Sequence, residues 1–340
     1  MKLMTFIFFL SLLNLLLLLK LKKISLILNI YDYPDGKLKL HKKRIPIIGG
    51  FILAFNFFII FFYQIFFLKN FLSLDIKNFH YFELFSLLIL ITAYFFLGLY
   101  DDKYKLNPLK RLIFSILIIL IAIFLNKNLL ITDLSLSFYE KRIFFNNLSI
   151  VFTIFCILIL INSLNFYDGI NGQSCLIFIY CFTYLLLKSD FNYFYITCII
   201  LIFIVMAPNL KNMFFLGDSG IYLMSIILSI SLIYEHNIQK NIVYADEIFF
   251  LLLLPGFDLL RLTITRSLNL RNPFLGDRKH IHHLLIKKFS LTLSNIYLFF
   301  MSITPLVLFV FFKMNFFLVF LIFLLFYFAS IQYLKSNIKN

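Results

Sequence analysis

The chain has 340 residues, is 62% hydrophobic and has a mean hydropathy of +0.96. A soluble domain of this size does not carry that balance, which excludes a water-soluble enzyme and leaves a membrane protein built from apolar runs of about 20 residues. The formal net charge of +15 is concentrated in loops between those runs, so it marks membrane sidedness, and nucleic acid is not an expected partner.

Eleven spans are expected, at about 4–19, 47–68, 82–100, 111–126, 148–166, 174–188, 193–208, 219–235, 248–266, 291–312 and 315–334. The fold class is therefore all-α, a polytopic integral membrane protein forming one transmembrane domain over residues 1–340. The first run is expected to be a span and not a cleaved leader, because Lys20, Leu21, Lys22 and Lys23 follow it in place of a small-residue cleavage site. Cys156, Cys175, Cys181 and Cys198 lie in apolar runs with no Cys-x-x-Cys pair, and are expected to be buried and reduced. If the first span runs outside to inside, the inside segments hold 22 of the 31 Lys and Arg residues. The positive-inside rule then puts the N-terminus outside, the C-terminus in the cytoplasm and every polar motif on the cytoplasmic side.

The first inside segment carries Asp32-Tyr33-Pro34-Asp35-Gly36, then Lys39, His41 and Pro46-Ile47-Ile48-Gly49-Gly50. Its basic residues suit anionic headgroups or a phosphate, and the paired glycines allow a helix or ligand to come close. The third span ends in Asp101-Asp102, adjacent carboxylates that need neutralising by a divalent cation or by Lys103 and Lys105. The fifth span ends with Asn162, Asn165 and Asp168 spaced by three on one helical face, which must look onto protein or a wet cavity. Gly217-Asp218-Ser219-Gly220 opens the eighth span, where Asp218 suits either a helix cap or a metal ligand. In the ninth, Asp258 and Arg261 are spaced to pair.

The densest polar run follows, from Arg271 to His283, with Arg278, Lys279, His280, His282 and His283 at its end. It reads as a topology-fixing loop, as an anion site or, from its three histidines, as a zinc site. Asp101, Asp102, Asp168 and Asp218 stand at the ends of three helices on one side of the membrane. Such an oxygen-rich, water-facing site suits Mg²⁺ bridging a substrate's phosphates. The inference from the residues is phosphoryl-type transfer between a soluble phosphorylated donor and a lipid acceptor.

These motifs, in this order over about residues 25–290, resemble the polyprenyl-phosphate N-acetylhexosamine-1-phosphate transferases, in particular the WecA/TagO-like branch of glycosyltransferase family 4, related to MraY. The resemblance rests on Asp-x-Pro, Lys-x-His and Pro-x-x-Gly-Gly, on Asp101-Asp102, and on Asn-x-x-Asn-x-x-Asp-Gly-x-Asn-Gly from Asn162. Phe-Leu-Gly-Asp-Ser-Gly from Phe215 and the closing Asp-Arg-x-His-x-His-His complete it. It implies transfer of a sugar-1-phosphate from a UDP-sugar to polyprenyl phosphate, commonly undecaprenyl phosphate, with release of UMP. It also implies Mg²⁺ or Mn²⁺, a multi-pass protein of the bacterial inner membrane, and a second copy of the chain as a candidate partner. By the same resemblance Asp218 and Asp168 hold metal, and Asp101 and Asp102 serve the lipid phosphate or help hold metal. Lys39, His41, Asn162, Asn165, Arg271, Arg278, His280, His282 and His283 bind substrate. Lys105 departs from the pattern, standing where a third Asp is common. UDP-N-acetylglucosamine is the donor the resemblance favours, with a modified UDP-hexosamine as the alternative. From another class, a lipid-linked sugar flippase is the rival.

Overall fold

Apolar runs with no water to satisfy their backbone groups must close their hydrogen bonds within helices. The computed structural model describes residues 2–34, 43–63, 66, 70–71, 74–75, 81–189, 192–270 and 278–336. Helices dominate it. They are α1 (Lys2–Leu19), α2 (Leu21–Leu28), α3 (Gly49–Tyr63), α4 (Tyr81–Tyr104), α5 (Pro108–Leu125), α6 (Ser149–Tyr167) and α7 (Gln173–Lys188). There follow α8 (Tyr193–Leu210), α9 (Gly217–Asn237), α10 (Ala245–Leu251), α11 (Leu253–Leu268), α12 (Ile281–Leu285), α13 (Leu291–Val310) and α14 (Phe316–Ser336).

Among the described residues, seven helices are long and apolar enough to cross a membrane, or nine if two bent pairs each count as one span. Two shorter apolar helices, α3 and α7, occupy the positions of the second and sixth expected spans. The chain is thus a predominantly helical, multi-pass membrane protein by helix length and composition.

Neither bend is visible in the apolar pattern. Between α1 and α2 the axis turns by 67°, and the Lys-rich stretch expected to be a loop is helical, burying Leu21 and Ser25 on one side. The expected ninth span is α10 and α11, bent by 72°. Pro255 explains the break, since its ring cannot donate to the carbonyl of Leu251 and clashes with it, so the helix restarts at Leu253.

The centre of the bundle is α9, in which every residue from Ser219 to His236 is buried. Two helices reach the backbone at its start through glycines. A Cβ on Gly98 of α4 would lie 2.5 Å from the Cα of Ser219, and one on Gly50 of α3 would lie 2.4 Å from the nitrogen of Gly220. Strand pairing reinforces this. Strand β1 (Tyr31–Asp32) pairs antiparallel with β2 (Ile45–Pro46), and Ile47 bridges in parallel to Phe215. The amides of Gly49 and Gly50 donate to the carbonyls of Phe215 and Leu216, at 3.0 and 2.9 Å. The Gly-Gly pair therefore admits another backbone, that of the Gly-Asp-Ser-Gly turn.

Two small hairpins complete the fold, β3 (Asn70–Phe71) with β4 (Leu74–Asp75), and β5 (Asp133–Leu136) with β6 (Tyr139–Phe144). The second is held at the end of α9 remote from Asp218, where the His236 ring nitrogens face the carbonyls of Ile242 and Asp133 at 3.1 and 3.0 Å.

Candidate active site at one end of the bundle

The C-terminal ends of α4 and α6 and the N-terminal end of α9 meet at one end of the bundle. The adjacent pair Asp101-Asp102 is divided between two tasks. Asp101 accepts from the amide of Leu106 at 2.7 Å and from Arg111 at 3.2 Å, with the Tyr222 hydroxyl at 3.4 Å. Asp102 accepts from the amides of Asp218 and Ser219, at 2.8 and 3.0 Å, and from the Ser219 hydroxyl at 2.7 Å. An α-helix leaves its first amides unpaired and partly positive. Here a carboxylate from another helix caps them, so Asp102 fills the capping role that the sequence offered to Asp218. The Lys103 ammonium lies over the Tyr104 ring; Arg111 pairs with Asp101, and Lys105 acts on Asp102 together with the start of α9.

Asp218 is thereby freed. Its carboxylate has no hydrogen-bond partner among the described residues, and the charges of Asp101, Asp102, Lys105 and Arg111 all act on it. Asp168 follows the last turn of α6 and accepts from the Ser174 hydroxyl on α7. Burial, with a smaller push from the charge of Asp102, raises its carboxyl from 3.8 to about 6 despite the Ser174 bond. Asn165 likewise has no side-chain partner among the described residues, whereas the Asn162 amide returns to the carbonyl of Leu158 at 2.7 Å. The turn after Asp168 is tied down on both sides. Asn209 accepts from the amide of Gly172 at 2.8 Å, and Asn295 donates to the carbonyl of Asn171 at 2.8 Å.

The histidine motif packs against this turn. His280 and His282 are 4% and 1% exposed, both packed inside the protein. Their rings stack at 5.3 Å with 6° between planes, and His280 stacks on Phe166 at 5.9 Å. A Cβ on Gly169 would lie 1.8 Å from Nε2 of His282, so only glycine lets the turn and the ring meet. Burial, with the neighbouring His283 and His280, holds His282 well below the usual imidazole range, so the ring is neutral at pH 7. Arg278 and His283 are less buried. Lys39, His41 and Arg271 lie outside the described residues.

Two groupings of metal-ligand type result. Among the described residues, only Asp258, His280 and His282 bring three such atoms within 4.8 Å of one another. Those atoms are already engaged: Asp258 accepts from Arg261 at 2.7 Å and Tyr327 at 2.5 Å, and meets Nδ1 of His280 at 2.7 Å. With the guanidinium of Arg266 3.5 Å from the other His280 nitrogen, the environment disfavours a cation and the zinc reading. The carboxylates of Asp102, Asp168 and Asp218 are spread more widely; Asp218 accepts no hydrogen bond among the described residues, and negative charge is in excess. That suits Mg²⁺, which keeps several waters and takes one or two carboxylates together with substrate phosphates.

On α6, Phe152, Phe155, Cys156, Ile159, Leu160 and Ser163 form one stripe. The stripe faces a cavity of about 720 Å³, closed by α9 and by both arms of the bent α10–α11 pair. Gly256, at the bend, lines this space, and a Cβ placed on it would meet nothing within 4 Å. The cavity follows from the Pro255 bend, which the apolar pattern alone does not reveal.

Fold and site thus define a class: a multi-pass helical membrane protein with an acidic polar site at one end of its bundle and an apolar cavity within it. Residues 84–236, just under half of the chain, match the family model described as glycosyl transferase family 4. The match runs from the first turn of α4 to the end of α9 and includes Asp101, Asp102, Asn165, Asp168 and Asp218. No curated protein matches the chain.

Proposed function

We propose that this chain transfers a sugar-1-phosphate from a UDP-sugar to a polyprenyl phosphate, releasing UMP, as a member of the WecA/TagO-like branch. The observation that carries the reading is one helix serving two phases. Helix α6 lines the apolar cavity from Phe152 to Ser163 and then carries Asn165 and Asp168 at its end, where Asp168 feels the charge of Asp102. A lipid chain in the trough would present its phosphate to the carboxylate end, while a water-soluble donor arrives from the adjoining aqueous phase. The match of residues 84–236 to glycosyl transferase family 4 supports the same reaction class.

In this proposal Asp218 and Asp168 hold Mg²⁺ or Mn²⁺, which when bound neutralises charge on the donor diphosphate and the departing UMP. A lipid phosphate oxygen attacks the β-phosphorus of the donor, a new P–O bond forms, and the bond to the UMP oxygen breaks. No protein nucleophile is needed. Asp102 fixes the start of α9 so that Asp218 points into the site. Asn165, Arg278 and His283 contact the donor. The membrane topology is eleven spans, with the N-terminus outside and this site on the cytoplasmic face of a bacterial inner membrane, and N-acetylglucosamine is the sugar carried.

Purified protein with undecaprenyl phosphate, Mg²⁺ and UDP-N-acetylglucosamine should release UMP only when lipid is present, and lose that activity with EDTA or Asp218→Asn. Release with another UDP-hexosamine alone would keep the chemistry and change the sugar. Folded protein that is silent with every donor would refute the reading in favour of a lipid-linked sugar carrier.

A further inference from the structure

A buried hydrogen-bond chain runs from the last helix to the candidate site. Tyr327 of α14 is 0% exposed and donates to Oδ1 of Asp258 at 2.5 Å. Arg261 ties the pair together: its Nε donates to the Tyr327 oxygen at 2.6 Å, and its Nη2 donates to Oδ1 of Asp258 at 2.7 Å and to the carbonyl of Lys279 at 2.9 Å. The other Asp258 oxygen lies 2.7 Å from Nδ1 of His280. An ionised carboxylate only accepts, so the proton of this pair belongs to Nδ1 of His280. The remaining nitrogen faces Arg266 at 3.5 Å.

The next ring continues the pattern. His282 lies parallel to His280, its Nδ1 faces the Gln173 amide at 3.5 Å, and its Nε2 abuts Gly169. Both rings therefore have protein against both nitrogens. What they touch on the far side is Phe166 and Gly169, which bracket Asp168.

We propose that Tyr327, Asp258 and His280 are positioning residues, a brace from the final helix that holds the His280–His282 stack against Phe166 and Gly169 and so sets the place of Asp168. The inference rests on the proposed transferase reading and deepens it. It assigns the two buried histidines to support of the acidic turn instead of contact with the donor, and it gives α14, which lies beyond every motif, a share in activity.

The two amide substitutions of His280 separate the alternatives, because an Asn amide nitrogen stands near the place of Nδ1 and a Gln amide nitrogen near that of Nε2. On the full-length enzyme, His280→Gln and Tyr327→Phe should each lower kcat for UMP release by about tenfold with KM for the UDP-sugar changed by less than about twofold. His280→Asn, which keeps the donor to Asp258, should stay within about threefold of wild type. A second readout needs no turnover: the rise in melting temperature on adding Mg²⁺ should shrink in Tyr327→Phe and His280→Gln and persist in His280→Asn. Rescue by Gln and not Asn, or a raised KM at unchanged kcat, would place His280 on the substrate and overturn the proposal. Should Tyr327→Phe fail to fold, the Asn and Gln pair decides alone. A wild-type protein that releases no UMP but shows the Mg²⁺ pattern would sink the transferase reading and leave the brace standing; loss of the pattern would sink the brace.

Discussion

Replacing Asp102 with Asn should lower the melting temperature of the protein, whereas replacing Asp218 with Asn should not. Asp102 is 5% exposed and its two oxygens receive three hydrogen bonds at the start of α9. Asn keeps one acceptor and turns the other oxygen into a donor that confronts an N–H or O–H. Stranding a buried donor costs about 1–3 kcal/mol, and losing the negative charge at a helix start costs up to about 1 kcal/mol more, so a total near 3 kcal/mol is expected. Asp218 loses no protein partner on becoming Asn, and repulsion from Asp101 and Asp102 is relieved.

Both variants should lose UMP release, so activity alone does not separate them. Thermal unfolding in detergent does, read by labelling of Cys175, Cys181 and Cys198, which are buried in the folded chain and react once exposed. Measured without Mg²⁺, Asp218→Asn should melt at or above wild type and Asp102→Asn clearly below it. Equal melting of the two variants, or an Asp102→Asn protein as stable as wild type, would refute the division of labour between the two carboxylates.

Mg²⁺ at about a hundred times its Kd should stabilise wild type by about 2.7 kcal/mol and leave Asp218→Asn unmoved; calorimetry with and without the ion checks this. Gly256→Leu should project into the trough without displacing a neighbour, raising KM for a long polyprenyl phosphate about tenfold or more while sparing a short-chain acceptor; equal kinetics with both acceptors would move the lipid elsewhere. Gly169→Ala should abolish UMP release, since its Cβ would fall 1.8 Å from the His282 ring, and a variant of normal activity would mean that the turn and ring do not meet. In metal-free protein Asp168 titrates near 6 when folded against 3.8 when unfolded. Between those values the folded chain keeps a proton that the unfolded chain has released, so stability should fall as pH rises from about 4 to about 6 and level off above, with the step absent in Asp168→Asn.

Sequence periodicity locates the helices well because each is a long apolar run between polar ends, and such runs have one way to satisfy their backbone in lipid. It fails where a local exception sits inside a run. Pro255 reads as one residue in an apolar stretch, yet it breaks the helix and opens the trough. Lys20, Lys22 and Lys23 read as a loop because their charge masks the Leu21 and Ser25 face that α2 buries. The acidic motifs are legible as charges that a membrane helix does not need, and the Asp258–Arg261 pair as an i, i+3 spacing. The partners of those charges are not. Ser174, Arg111, Ser219 and Tyr327 are common residue types whose importance comes from what lies opposite them, and nothing local in the chain states that Asp102 faces an amide 116 residues away.

The distribution of buried charge along α9 bears on transfer against transport. Asp218 begins the helix and Glu235 nearly ends it, about 25 Å apart at 1.5 Å per residue. Every residue from Ser219 to Tyr234 is buried and none is charged. Ser229 and Ser231 turn their hydroxyls back to carbonyls of the helix itself, at 2.9 and 2.8 Å. At the far end Glu235 is held by Tyr195 and Asn241, both at 2.7 Å, and Glu247 by Lys188 at 2.7 Å. A carrier for a charged sugar lipid needs polar groups that hand the headgroup across the midplane, and those are expensive to bury unless they are used. Here the central helix keeps its midplane free of charge, with serines as its polar side chains. Its one carboxylate without a protein partner among the described residues stands at the end where α4 and α6 deliver Asp102 and Asp168, an arrangement that favours the proposed transfer, with both substrates meeting at one face, over transport.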